Sequence, residues 1–309
     1  MSDEKTFDEA ADAERVAQRL ADEADEPRTV TGDLDDGVEH PLDPKGGTIS
    51  GTLPGGYQDA AGVVHRTFIV REMNGEEEDL LGGKGVWVAR LNQVIAKCLV
   101  SVGTIADQRE IAHYVQVMPV VDRSAILVAL YRLSHGDKYV FRKLKCPGED
   151  CGVEDTHSVN LRTLEVRDMK HPGQLNYVTA CSNGRVVKWH VMTGTDEAWM
   201  YDVGKKRREN HQFSLGLLAR IDEIDGVPVV RGDGSKKVDA VFDAAMLRVQ
   251  HELTSSARRE LREEIEEAEG DYDTAVEFVC KEKDCGETWE GFIPVGWPNF
   301  FFPSVKRRR

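Results

Sequence analysis

Two cysteine pairs constrain this chain more than any other feature. KCPGEDCG sets Cys146 and Cys151 with four residues between them, and VCKEKDCG repeats that gap with Cys280 and Cys285. Both end in Asp-Cys-Gly. Two thiolates on one tight turn serve a single ion only if the backbone curls its amides toward the sulfurs, and a following glycine permits the left-handed conformation of such a curl. Zinc takes four tetrahedral ligands, so two such turns complete a closed four-cysteine site. A closed site has no open position for water or substrate, and it supports folding rather than catalysis. The pattern alone leaves open one shared zinc, two separate ions, half-sites completed by His135 or His157, or two disulfides.

Compartment bears on that choice. No apolar run approaches the roughly 18 to 20 residues of a membrane helix, and MSDEKTFDEA lacks a basic region followed by an apolar stretch. The expectation is a cytoplasmic setting, where disulfides are rare and paired cysteines more often bind metal. Cys98, among Ile95, Leu99 and Val100, reads as a small buried hydrophobe, and Cys181 has no clear assignment.

At 309 residues the chain has room for two domains. Residues 1–50 are acidic, poor in aromatics and broken by Pro27, Pro41 and Pro44, which predicts a disordered tail with one helix-compatible stretch from Phe7 to Ala24. After a Gly- and Pro-rich lead-in, a strand is expected over Val63–Val70, and residues 90–104 read as an amphipathic helix running into a strand. A helix capped by Asp122 and ended by Gly136 follows, then a strand over KYVFRKLK that places the first cysteine pair on a turn. The second half resembles a diverged copy. HRTFIVREMNGEEEDLL overlays RVVKWHVMTGTDEAWMY with Met73 against Met192 and Gly75 against Gly194, and a helical region from Phe242 to Glu269 precedes the second pair. The fold expected is α+β, with two similar strand–helix–strand units over 51–170 and 171–309, each carrying a zinc-ribbon-like cysteine turn.

Several activities lack their signatures. G-x-S-x-G, H-E-x-x-H and the phosphate-loop pattern do not occur, and LGGKGVW lacks that loop's spacing. The clusters Glu76–Asp79 and Asp196–Glu197 fit helix N-termini. The net charge of -15 opposes binding to nucleic acid or anionic membrane, so protein partners are expected. The segment WEGFIPVGWPNFFFPSVKRRR has prolines that forbid a regular helix, so Trp297, Phe300, Phe301 and Phe302 must fill a core seam or dock on a partner, and Lys306–Arg309 read as solubilising.

LPGGY at 53–57, the strand into MNGEEEDLL, MTGTDE at 192–197, the helix ending in SHGDKY, KCPGEDCG and the terminal FFFP together resemble the T4-type baseplate hub and tail-assembly proteins of contractile-tailed bacteriophages. The resemblance spans about residues 50–303. It implies a non-enzymatic structural or assembly role among tail and baseplate proteins, in the host cytoplasm and in the tail baseplate, with self-association compatible. The alternative from residue chemistry is a zinc-ribbon protein that binds nucleic acid in transcription or replication.

Overall fold

A computed structural model describes residues 47–83, 87–203, 208–209, 211–232, 234 and 239–301. The N-terminal tail up to residue 46, the middle of LGGKGVW, Phe302 and Lys306–Arg309 lie outside these residues. The chain is α+β with several small antiparallel sheets. Thr48–Gln58 (β1), expected as an irregular lead-in, is a strand paired with Val64–Arg71 (β2), which pairs in turn with Leu99–Val102 (β3). Glycine and proline misled here because they serve the strand itself. The β1–β2 register slips between Thr52 and Tyr57, where Gly56 takes φ +72°, and the Phe68 ring lies over Gly51, so close that a Cβ there would sit 2.5 Å from it.

Between β2 and β3 run Gly75–Gly82 (α1) and Trp87–Cys98 (α2). Asn74 and Glu77 close a reciprocal capping box on α1, so the acidic run does start a helix. In α2 the residues Val88, Leu91, Ile95 and Cys98 recur every three or four positions and are buried on one face. Gln108–Val117 (α3) is capped by Asp107. Val120–His135 (α4) begins after Pro119, two residues before the expected start, so Asp122 does not cap it. That carboxylate is buried instead, accepting from Gly55 N at 2.6 Å and Tyr114 OH at 2.7 Å, while Gly136 ends the helix at φ +82° as expected.

Lys138–Lys145 (β4) and Glu154–Asn160 (β5) form the first cysteine hairpin, followed by Val166–Arg167 (β6). Asn176–Ala180 (β7), Val186–His190 (β8), Ile221–Ile224 (β9) and Val227–Pro228 (β10) make a sheet of order β10-β9-β8-β7. Gly194–Asp202 (α5), with a Thr193–Asp196 capping box, and Gln212–Leu218 (α6) lie between β8 and β9. The region expected to be helical from Phe242 to Glu269 is two helices, Ala240–His251 (α7) and Ser255–Ala268 (α8), because Thr254 caps a new start. Asp271–Tyr272 (β11) pairs with β6, and Ala275–Val279 (β12) pairs with Thr288–Phe292 (β13) as the second cysteine hairpin. Pro298–Phe301 (α9) ends the described chain.

Two hydrophobic clusters form among the described residues. One gathers β1–β3, α2–α4 and the start of β4, and it also takes Ile293, Phe300 and Phe301 from beyond β13. The other gathers Val121 and residues from Met169 to Ala268. The stretch placed above in a second unit at 171–309 therefore feeds both clusters. Val120 N bonds Met192 O at 3.0 Å, and Arg123 of α4 pairs with Glu197 of α5 across the junction.

Candidate metal centre

The two cysteine turns are built alike. Cys146 N donates to Val153 O at 2.9 Å and Cys280 N to Glu287 O at 2.8 Å, carrying each strand ladder up to its first cysteine. The chain then folds back, with Cys151 N on Gly148 O at 3.1 Å and Cys285 N on Glu282 O at 3.2 Å. Gly152 and Gly286 follow at φ +57° and +62°. The glycine of the shared Asp-Cys-Gly is thus a backbone requirement, since a Cβ at either position would strain the turn.

The β4–β5 and β12–β13 hairpins bring the pairs together. All four Sγ atoms lie within 4.8 Å of one another. Cys146 Sγ is 3.7 Å from Cys285 Sγ, and Cys151 Sγ is 3.7 Å from Cys280 Sγ. A disulfide needs about 2.05 Å. Sulfurs held at about 2.3 Å around a tetrahedral ion stand about 3.8 Å apart, which matches the spacing here. Cys146, Cys151, Cys280 and Cys285 form one cluster able to hold a metal ion. His135 and His157 are not part of it: His135 Nε2 faces Phe301 O at 3.2 Å, and His157 meets Phe278 and Trp289 edge-on.

Cys146 and Cys280 are buried, Cys151 and Cys285 half-buried. The Val153 amide facing Cys151 holds that thiol below its ordinary value. The Glu282 amide also lowers Cys280, but burial and the three adjoining sulfurs outweigh it and push Cys280 up to about 12. Neighbouring thiolates repel one another, and a bound dication reverses that logic by favouring all four. Amides aimed at sulfur and a crowded thiol set are the chemistry of a metal-thiolate site.

Support comes from both hairpins. Lys281 Nζ donates to Thr156 O at 2.6 Å and sits 3.1 Å from Asp155, crossing from the second turn to the first. Phe141 of β4 meets Phe278 of β12 edge-to-face at 5.0 Å. From there rings continue through Tyr139 to Phe300, whose planes stack at 5.6 Å, and to Tyr131 at 4.9 Å from Phe300.

Those contacts settle where the aromatic segment goes. Phe300 and Phe301, offered above as partner-docking residues, are 0% and 2% exposed in the first cluster and unavailable to a partner as placed. Trp297 is 52% exposed, and Phe302 lies outside the described residues. Cys98 is fully buried, and burial pushes its thiol up to about 12, as befits an inert core residue; Cys181 is buried in the second cluster.

The sequence reading missed two polar sites. One is Asp122, whose partner Gly55 lies 67 residues away, so nothing local marks it. The other joins Asp196, His190, Asp222 and Arg231: Arg231 Nη1 is 2.5 Å from Asp196, and His190 stands between the Asp196 and Asp222 carboxylates at 3.2 and 2.9 Å. Of its members, the sequence marked Asp196 alone, and as a helix start. Protein families, curated proteins and solved structures give no significant match to this chain.

Proposed function

We propose that the chain is a non-enzymatic assembly protein of a contractile bacteriophage tail, held in shape by one structural zinc on Cys146, Cys151, Cys280 and Cys285. The observation that carries the zinc part is the convergence of four sulfurs within 4.8 Å of one another, two pairs of them at 3.7 Å, close to the edge of a thiolate tetrahedron. Four protein ligands fill such an ion's coordination, so it has no place for substrate and its binding energy goes into folding. Zinc is the ion proposed because a closed four-thiolate site that joins two hairpins suits a structural ion.

The finer fold reading belongs with this proposal. Among the described residues each half runs from a pair of strands through a capping box and helices to a further strand, then to two helices and a cysteine hairpin, with β10 an addition in the second half. Asn74–Glu77 and Thr193–Asp196 occupy equivalent places, which supports an ancient duplication.

The tail-assembly role rests on the resemblance stated above. The patterns that carry it have structural duties: LPGGY is the slipped segment of β1 gripped by Asp122, MTGTDE is the α5 cap, and FFFP supplies two core rings. Partners are other tail and baseplate proteins, met in the host cytoplasm. The nucleic-acid alternative is weakened by charge, because the second hairpin carries Glu277, Glu282, Asp284, Glu287 and Glu290 against Lys281 and Lys283.

Elemental analysis of the purified chain tests the first part, with one zinc per chain expected; a metal-free or iron-loaded protein rejects it. Disrupting the gene in the virus that encodes it tests the second. Tails without complete baseplates are expected, and normal particles would overturn the role.

A further inference from the structure

Residues 275–301 form a unit joined to the rest of the described chain by one covalent link at Thr274. The unit comprises the β12–β13 hairpin and a strap from Ile293 to Phe301. At one end it offers Cys280 and Cys285 to the cluster. At the other it inserts Phe300 and Phe301 beside Tyr131 and Tyr139. Between these ends its polar ties to the first cluster among the described residues include Trp87 Nε1 donating to Gly296 O at 2.7 Å and His135 facing Phe301 O. A cleft of about 280 Å³, open to solvent, runs between Ile293, Val295 and Trp297 of the strap and Pro119, Val120 and Ser124.

We propose that the cysteine centre gates an aromatic interaction surface, and that the partner fitted to it is the same segment of a second copy. This rests on the metal reading above. With an ion bound, the second hairpin is fixed to the first and the strap cannot leave. Without it, the hairpins are joined by the exposed Lys281 bridge and by ring contacts of Phe141 with Phe278 and of His157 with Phe278 and Trp289; exposed ion pairs hold little, so these few rings carry the junction. Release of residues 275–301 uncovers a groove of Trp87, Tyr131, Tyr139 and His135. That groove is already complementary to Phe300 and Phe301, as their ring contacts record. A second copy presents the same segment, so exchange remakes every contact without a new interface. Two chains that trade segments reciprocally close into a dimer and leave no free end to propagate. Metal added afterwards is coordinated by Cys146 and Cys151 of one chain with Cys280 and Cys285 of the other, locking the exchange.

The test is order of addition with the full chain. Zinc-loaded protein is stripped with a chelator at high and at low protein concentration, reloaded with zinc, diluted, and sized by light scattering. After stripping at high concentration, the major species is expected at twice the 34.5 kDa chain mass and persists on dilution. Stripping at low concentration should return monomer, as should omitting the strip. Phe300→Ser should abolish the dimer while leaving one zinc per chain. Monomer under every regime, dimer without stripping, or precipitation on stripping each overturns the proposal, since exchange keeps the rings covered. Failure of the metal reading is separate: the starting protein then contains no zinc at all.

Discussion

The two hydrophobic clusters are closed in opposite ways. Apart from Val121, the second draws on chain between Met169 and Ala268 and is sealed by its own charged groups. Asp196 accepts from Thr193 and Arg231, and Arg220 grips Glu269 through bonds of 2.7 and 2.8 Å. The first takes residues from Ile49 to Leu161 and then skips to Ile293, Phe300 and Phe301. A core that recruits distant chain must hold that chain in place, and the cysteine cluster sits at the root of the recruited segment. Contiguous chain closes on itself, whereas discontinuous chain needs a clasp.

The largest expected effect follows directly. Chelation, or Cys280→Ser, should weaken the first cluster and spare the second. Val121 apart, the second cluster lies inside the loop between Cys151 and Cys280, so with it folded the chain left free is short and the clasp is worth about 3 to 4 kcal/mol on chain-entropy grounds. Hydrogen exchange should therefore quicken by roughly a few hundredfold in α4 and β4, at about 1.4 kcal/mol per tenfold, and stay unchanged in β8 and α8. Equal loss in both clusters would erase the contrast.

Next in size is Asp196→Asn, which should cost about 3 kcal/mol and unsettle the second cluster alone, because Arg231 loses its buried partner. Burial by itself would raise Asp196, but His190, Thr193 and Arg231 hold it well below its ordinary 3.8. Its contribution is present above pH 3.8 and lost as pH falls through the depressed value. His190 behaves in reverse. Burial lowers it, yet Asp196 and Asp222 raise it above 6.5, so its contribution is complete below pH 6.5 and fades as pH rises. Thermal melts of the second cluster should peak between those limits and flatten in the variant.

Asp122→Asn sharpens the contrast from the other side. Asp122 is as buried as Asp196 but its hydrogen-bond partners are neutral, the Gly55 and Gly56 amides and Tyr114, with the Arg66 charge a weaker influence, and burial pushes it up to about 6. A folded value above the ordinary 3.8 means that the ionised form opposes folding, so the first cluster should lose about 2 to 3 kcal/mol as pH climbs from 4 to 7. The asparagine variant keeps an acceptor for Gly55 and should lack that slope in denaturant titrations. Smallest of all, Trp297→Ala should shift stability by less than about 1 kcal/mol and leave metal content unchanged, since the ring is half exposed.

Legibility in the sequence followed the range of the forces involved. The cysteine turns, α2 running into β3, and β4 were readable because periodicity and turn chemistry are local. Asp122 looked like a cap because it precedes an apolar helical run, but its true partners sit in β1 and α3. Phe300 and Phe301 looked equally suited to a core or a partner, since sequence shows that rings must be covered and not by what. β1 was lost to its glycines, whose place is decided by Phe68 on the facing strand.

The pairing of β6 with β11 has a consequence for the order of synthesis. Everything the second cluster needs has been made once Glu269 is added, while the first still awaits both later cysteines and the rings at 300 and 301. The earlier part of the chain must therefore wait, unfinished, for the later part to complete, reversing the usual N-terminal-first sequence of folding. Adjacent entry and exit strands let the waiting part stay open without dragging on a neighbour that has already set.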